Sequence, residues 1–304
     1  MLQIFKNTKY DFLRYAKPVI GASLTFMLVS AVFVFLNSGF NMSIDFAGGT
    51  TAQVKFEQPV RDDLGTIRNS VNDLGFGNPE IKTIGLADNN EIQITVRNQP
   101  EGIDVSEAIG TALAAGLPGN AFEVRSIESV GPKIGSELTR DAVIASLLAL
   151  LVTLLYIGVR FKLSYAVASV VPLFHNVIIV LGAFAIFNLE LTLPFLAAVM
   201  MVIGYSLNDT IVVFDRIREN LKSGLRGKTF NEVVNSSVNQ TLSRTVITTG
   251  TTLFTVVALY VLGSDSIKDF ALALSIGIAV GPFSTIFIAA HILAWWNKKW
   301  VIAK

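Results

Sequence analysis

Long apolar stretches recur along the chain at Pro18–Leu36, Ala142–Val159, Ser164–Phe187, Leu191–Phe214, Leu242–Leu262 and Ile267–Trp296. Each holds roughly 18 residues or more, and at about 1.5 Å per helical residue that spans a hydrocarbon core ~30 Å thick. The pattern predicts six membrane-spanning helices. Asn37–Arg140, between the first two, has a different rhythm. Thr51–Phe56, Glu80–Ile84, Glu91–Val96 and Ala121–Ile127 read as strands, and Val60–Leu74 and Asp104–Ala115 as helices. The order βαββαβ predicts a ferredoxin-like sandwich, with Val105, Ala108, Ile109 and Leu113 turned to the sheet.

Lysine and arginine set the orientation. Lys6, Lys9, Arg14 and Lys17 precede the first span, and Arg160 and Lys162 separate the second from the third. Arg216, Arg218, Lys222, Arg226 and Lys228 follow the fourth, and Lys298, Lys299 and Lys304 follow the sixth. The alternate short loops carry only Lys268. With six spans, all the basic segments fall on one side, which predicts that both termini are cytoplasmic and Asn37–Arg140 is outside. The expected class is a polytopic α-helical membrane protein with an extracytoplasmic α+β domain between helices 1 and 2. Its divisions are residues 1–36, 37–140 and 141–304. The first apolar block lacks a small-x-small cleavage signal and reads as a retained helix. Trp295, Trp296 and Trp300 read as an interfacial anchor.

Composition agrees. The chain is 52% hydrophobic and only 15% charged, where soluble domains carry about 25% charged residues. A net charge of +1 supplies no global field for nucleic acid. The absence of cysteine excludes disulfides, thiolate nucleophiles and cysteine-held metals. Gly227–Lys228–Thr229 ends like a phosphate-binding loop, but Lys222 stands where that loop needs glycine, so ATP hydrolysis has no motif. No metal or organic cofactor is expected.

The candidate chemistry lies in the fourth span. A carboxylate at the centre of a membrane helix costs ~2.5–3.5 kcal/mol on insertion scales, and such residues usually face a bundle interior or a polar path. Asp209 is that residue. Helix 4 runs inward and helix 5 returns, so Arg244 lies at a similar depth, and a salt bridge between adjacent helices is geometrically allowed. A mobile guanidinium would then set how readily Asp209 takes a proton. The alternative is a static pair that only orients helices. Thr241, Thr248, Thr251, Thr252 and Thr255 share a helix face with Arg244. That face reads first as small-residue packing, with Thr248 and Thr252 placed to hold water near the pair. Tyr205 and Ser206, one turn before Asp209, are candidates for the same network. Asn208 points elsewhere, toward a neighbouring helix. Asp215 and Arg216 mark the cytoplasmic exit of helix 4. Gly204, Gly250, Gly277 and Gly281 suit close helix approach. Gly281–Pro282 predicts a kink in helix 6, with Ser284 able to meet freed backbone groups. His175 and Asn176 read as hydrogen-bonded packing residues.

These elements also carry a resemblance. IGYSLNDTIVVFDRIREN (Ile203–Asn220), DFAGGT (Asp45–Thr50), VGPKIG (Val130–Gly135) and TLSRTVITTGTTL (Thr241–Leu253) occur in that family's order and spacing when the chain is set beside the SecF family of the resistance–nodulation–division (RND) superfamily. The resemblance covers essentially the whole chain. It implies a proton-driven export factor of the bacterial inner membrane that works with SecD beside the SecYEG channel on a translocating polypeptide. It also implies proton-transport roles for Asp209 and Arg244, and a family element at Asp45, Gly48 and Gly49. Independently of it, Gly48–Gly49 predicts a turn or a close backbone contact. One carboxylate does not by itself discriminate protons from sodium. Competing readings are half of an RND-type small-molecule or lipid exporter, and a structural subunit whose ion pair is only a helix clip.

Overall fold

A computed structural model describes residues 8–76, 79–84, 90–97, 105–223 and 228–297. Features noted above at Lys6, Arg226, Gly227, Lys298, Lys299, Trp300 and Lys304 lie outside the described residues. In chain order the elements are α1 (Phe12–Leu36), α2 (Ile44–Ala47), β1 (Gly49–Phe56), α3 (Leu64–Asn72), β2 (Glu80–Ile84) and β3 (Glu91–Val96). Then come α4 (Val105–Gly116), β4 (Phe122–Val130), α5 (Pro132–Arg160), α6 (Leu163–Ile186), α7 (Leu193–Lys222), α8 (Phe230–Leu262), α9 (Asp265–Phe283) and α10 (Ala290–Trp296). The chain divides into two compact units, Met42–Val143 and the remainder.

The smaller unit is a four-stranded sheet in the order β2-β3-β1-β4, with every neighbouring pair antiparallel. With its two crossover helices this is the ferredoxin-like arrangement expected from the sequence. Alternation along β1 and β3 turns Ala52, Val54, Phe56, Ile92, Ile94 and Val96 to one face, where Ile67 and Val71 of α3 and Val105, Ile109 and Leu113 of α4 cover them. Ala108 packs against this core from its edge. Each full burial of such a side chain contributes about 1.5–3 kcal/mol, so this core holds the unit together. A 3₁₀ turn, Arg61–Asp63, leads into α3 in place of the first turn of the expected helix.

Two distant sequence elements interlock in this unit. Gly48 and Gly49 have φ +77° and +142°. A Cβ on Gly49 would stand 2.6 Å from the Val96 carbonyl oxygen, and one on Gly48 would stand 2.9 Å from Pro132 Cα. Gly135 is equally tight, since its Cβ would lie 2.8 Å from the Phe46 carbonyl oxygen. The short helix α2 is capped by Ser43, whose hydroxyl donates to Asp45 Oδ2 (3.0 Å) and accepts from the Asp45 amide (3.2 Å). Asp45 thus serves the cap of α2, and the glycines permit backbone contact that no side chain would allow.

The helical unit supplies six helices long and apolar enough to cross a membrane: α1, α5, α6, α7, α8 and the run Asp265–Trp296. Over their most apolar windows, α6 and the last run are 56% buried and α7 44%, against 11% for α1 and α5 and 17% for α8. The central helices are therefore α6, α7 and α9–α10. Gly277 of α9 sits directly against the Val202 side chain of α7, the close approach expected of it. Gly204 and Gly250 do not share that role; a Cβ on either would meet nothing within 4 Å. After Pro282 the helix passes into a π-helical stretch, Ser284–Ala289, and the Ser284 hydroxyl donates to the Gly281 carbonyl at 2.9 Å, as expected of it.

Several helices outrun the apolar stretches that announced them. α5 starts at Pro132, α7 continues to Lys222 and α8 begins at Phe230. The cause is packing beyond the hydrocarbon limit. Phe214, Ile217, Phe230, Val234 and Val238 form one buried cluster. Arg216 Nε donates to Gln240 Oε1 (2.6 Å), and Asn220 Nδ2 donates to Ser237 Oγ (2.8 Å), tying α7 to α8. A capping box, Thr229 with Glu232, starts α8. Trp295 and Trp296 are exposed near the end of the last helix, as an interfacial pair would be.

Gly49→Ala is expected to destabilise the α+β unit by more than about 1 kcal/mol, because alanine is strained at that φ and its methyl meets the Val96 carbonyl. Gly65→Ala, in α3 with open space around it, is expected to be neutral or stabilising. Protease resistance of residues 42–143 against denaturant, in the intact chain, distinguishes the two.

Candidate functional site

Helical periodicity on α7 decides which polar groups look inward. Val199, Val202, Ser206, Asp209, Thr210, Val213, Phe214, Ile217 and Asn220 are buried, whereas Gly204, Asn208 and Asp215 are exposed. Asp209 is 5% exposed, and it is the only buried carboxylate among the described residues. The Thr249 hydroxyl of α8 stands within reach of it. Yet neither Asp209 Oδ2 nor Thr249 Oγ1, both buried, completes a hydrogen bond with a protein group. A buried oxygen in this condition calls for a partner from outside the chain, such as water, or for a role in chemistry.

Arg244 acts on Asp209 electrostatically, but no ion pair forms between them, and the arginine is exposed. The reason is rotational. On α8, Thr241, Thr245 and Thr249 continue the buried row that begins with Phe230, Val234 and Val238. Arg244 and Thr248 each lie about 100° from the neighbouring member of that row. Arg244 instead lines a recess of about 280 Å³ with Asp215, Arg160, Tyr156 and Phe161. The threonine face expected to surround the pair therefore points outward from Thr248 onward. Thr248, Thr251 and Thr255 are exposed, and their hydroxyls donate to the carbonyls of Arg244 (2.9 Å), Ile247 (2.9 Å) and Thr251 (3.1 Å). Thr252 accepts from the Tyr205 hydroxyl at 3.3 Å, so Tyr205 bridges α7 to α8 without reaching Asp209. Asn208 lies on the exposed side, as its rotation predicted.

A second polar string reaches α7 from α1 and α6. Ser23 of α1 meets His175 Nε2, His175 Nδ1 meets Asn176 Oδ1 (3.0 Å), and Asn176 Nδ2 donates to Ser206 Oγ (2.7 Å). Ser206 is one turn from Asp209, and the next residue, Thr210, hydrogen-bonds Thr285 of the π-helical stretch at 2.9 Å. His175 and Asn176 thus hold the bundle together, as expected, and also carry a hydrogen-bonded path from α1 to the residue beneath the carboxylate. The sequence reading missed Thr210, Thr249 and Thr285. A step of three from Val238 to Thr241, followed by steps of four through Thr245, leads to Thr249 on the buried face.

At the α7 exit, Arg216 pairs with Glu219 (2.5 Å) and with Gln240, so it serves helix packing. Asp215 faces the recess beside Arg244. Asp45, Gly48 and Gly49 belong to the α+β unit described above. Among the described residues no cluster of His, Cys, Asp or Glu could hold a metal.

A polytopic helix bundle with an α+β insertion and one buried acid among hydroxyls defines a membrane transport component. A family profile described as "Protein export membrane protein SecD/SecF, C-terminal" matches residues 112–299, and one described as "SecD/SecF GG Motif" matches residues 33–60. The protein translocase subunit SecF of Thermodesulfovibrio yellowstonii is 38% identical, with full coverage of both chains. That of Gemmatimonas aurantiaca is 35% identical over 99% of this chain and 91% of its own. A crystal structure of SecDF, a translocon-associated membrane protein from Thermus thermophilus, superposes with TM-score 0.84 at 36% identity over 98% of this chain. The chain spans 40% of the length of that SecDF chain. A SecDF structure in a super-membrane-facing form gives TM-score 0.70. The chain belongs to the SecF family of protein translocase subunits, multi-pass membrane transport components.

Ser206→Ala strands the Asn176 amide and is expected to cost about 1–3 kcal/mol of bundle stability. In a double-mutant cycle with Asn176→Leu, the two losses should be clearly non-additive. Unfolding of the reconstituted protein in mixed detergent measures both.

Proposed function

We propose that this chain is the SecF-type part of a proton-driven export device in the bacterial inner membrane. It pairs with SecD and assists a polypeptide leaving the SecYEG channel, with both of its own termini cytoplasmic. The observation that carries the proposal is Asp209, buried within a spanning helix with an oxygen that no protein group satisfies. One base suffices for a proton, and no second buried carboxylate accompanies it among the described residues.

The partner assignment rests on the face beside that acid. Asn208, Arg244, Thr248 and Thr251 are exposed along adjoining helices within spans. Arginine and asparagine at that level are costly against lipid. Gly204 and Gly250 leave open space on the same helices, which suits the close approach of further helices. The length of the SecDF chains points the same way, since they carry more than twice this chain's length. Under this proposal the partner's helices cover the face, and movement of Arg244 toward or away from Asp209 alternately favours the ionised and the neutral acid. The positively charged loops supply the orientation.

The test is translocation in vesicles containing this chain with SecD and SecYEG. Asp209→Asn preserves volume and removes the titrating group. It is expected to assemble normally while the gradient-stimulated part of export falls to the level seen without a gradient. Arg244→Met is expected to lower the same component. A sodium gradient should not substitute for a proton gradient. Full gradient response in the Asp209→Asn complex would overturn the proposal.

A further inference from the structure

The end of the helical unit that carries the basic loops holds a second recess, of about 410 Å³. Four cations line it: Arg160 at the end of α5, Lys162 before α6, and Arg218 and Lys222 one turn apart at the end of α7. No carboxylate lines it among the described residues. The nearest acid in sequence, Glu219, is engaged by Arg216 at 2.5 Å.

The cations converge on an aromatic platform. The guanidinium carbons of Arg160 and Arg218 lie 5.6 and 5.7 Å from the centroid of the same ring, Phe161. Phe161 stacks in turn on Tyr165, with centroids 5.6 Å apart. Cation–π contact holds each guanidinium in place but leaves its in-plane N–H donors available for bidentate recognition of an anion. Leu221 and Phe230 give the recess an apolar wall. Its remaining lining residue, Asn297, follows the exposed pair Trp295 and Trp296. Such tryptophans mark the headgroup level of a bilayer. Four positive groups, an apolar wall and a position at that level are the requirements of a phosphate-bearing amphiphile.

We propose that this recess binds a phosphodiester anion, and that its source is the headgroup of an anionic phospholipid such as phosphatidylglycerol. Arg160 and Arg218 grip the phosphate, Lys162 and Lys222 add charge, and the wall of Leu221 and Phe230 takes the start of an acyl chain. This site does not include Asp209, although Arg160 and Phe161 also line the recess that holds Arg244.

The chain carries its own reporters in Trp295 and Trp296. With the full chain reconstituted in vesicles, quenching by brominated phosphatidylglycerol is compared with quenching by brominated phosphatidylcholine. The expected preference for the anionic lipid is roughly tenfold at low salt, and it weakens as salt rises. Arg218→Gln/Lys222→Gln is expected to bring it close to unity. Arg160→Gln/Lys162→Gln, at exposed positions, provides a second pair should the first fold poorly by size exclusion and circular dichroism. Equal quenching by the two lipids in the native chain, or a preference that survives both double variants, overturns the proposal. In a further arm, millimolar inorganic phosphate is added to phosphatidylcholine vesicles and to mixed ones. If it raises the melting temperature of the native chain but not of the Arg218→Gln/Lys222→Gln chain, and abolishes the lipid preference, the site serves a soluble phosphate and the lipid assignment fails. No effect of phosphate on either readout supports the lipid.

Discussion

A polar group inside hydrocarbon has no water to turn to, and the helical unit is organised around that constraint. Threonines on the outer face of α8 return their hydroxyls to the carbonyls one turn back. Ser23, His175, Asn176 and Ser206 satisfy one another in series across α1, α6 and α7. Thr210 and Thr285 close a further link to the π-helical stretch. Against this background Asp209 stands out as the one carboxylate among the few buried polar groups left without a protein partner, with Thr249 beside it. Its inward position is set by the periodicity of α7, which buries Val202, Ser206, Val213 and Ile217 on the same side. Turning the acid outward would expose those apolar groups' packing surfaces and unmake the Asn176–Ser206 bond, so the fold itself keeps the carboxylate buried.

In the α+β unit a different constraint governs. Its sheet and helices are held by apolar burial, whereas the segment leading into it is fixed by the absence of side chains. Gly48 and Gly49 admit Pro132 and the Val96 carbonyl, and Gly135 admits Phe46. Two motifs at opposite ends of the domain's sequence, Asp45–Thr50 and Val130–Gly135, are therefore one interlocking structure. This contact also explains why α5 begins at Pro132, well before its apolar stretch. Proline has no amide to leave unpaired at a helix start, and Gly135 in the first turn lets the α2 backbone lie against it.

What was legible in the sequence followed from periodicity. The six spans, the strands Glu80–Ile84 and Glu91–Val96, and the inward face of α4 at Val105, Ile109 and Leu113 emerged from it directly. Helix ends did not, because an apolar window registers lipid exposure and not the polar turns beyond, where Arg216, Asn220 and the Thr229 capping box sustain α7 and α8. The site was legible in part. Asp209 declared itself by its cost. The partner hydroxyl did not, because Arg244 and its threonines form the more conspicuous stripe, whereas the buried face of α8 drifts from Phe230 and Val234 to Thr241, Thr245 and Thr249, which turns Thr249 inward and Arg244 out. The Asn176–Ser206 bond depends on how α6 crosses α7, which no single-helix pattern contains.

The separation of Asp209 from Arg244 bears on how coupling is built. A permanent buried ion pair would hold the acid ionised, and breaking it would strand a charge in low dielectric at a cost of several kcal/mol. Here the acid is inside the bundle and the arginine is on the face that the proposed partner would cover. The energy that joins or parts them then comes from the contact between the two halves. Under the proposed function, the proton affinity of Asp209 would be a property of the assembly, and a change in how the halves meet would load or unload it. Arg244 also shares its recess with Arg160 and Phe161, which line the proposed lipid site as well. The proposed lipid site and the recess that holds Arg244 are thus neighbours through one arginine and one ring.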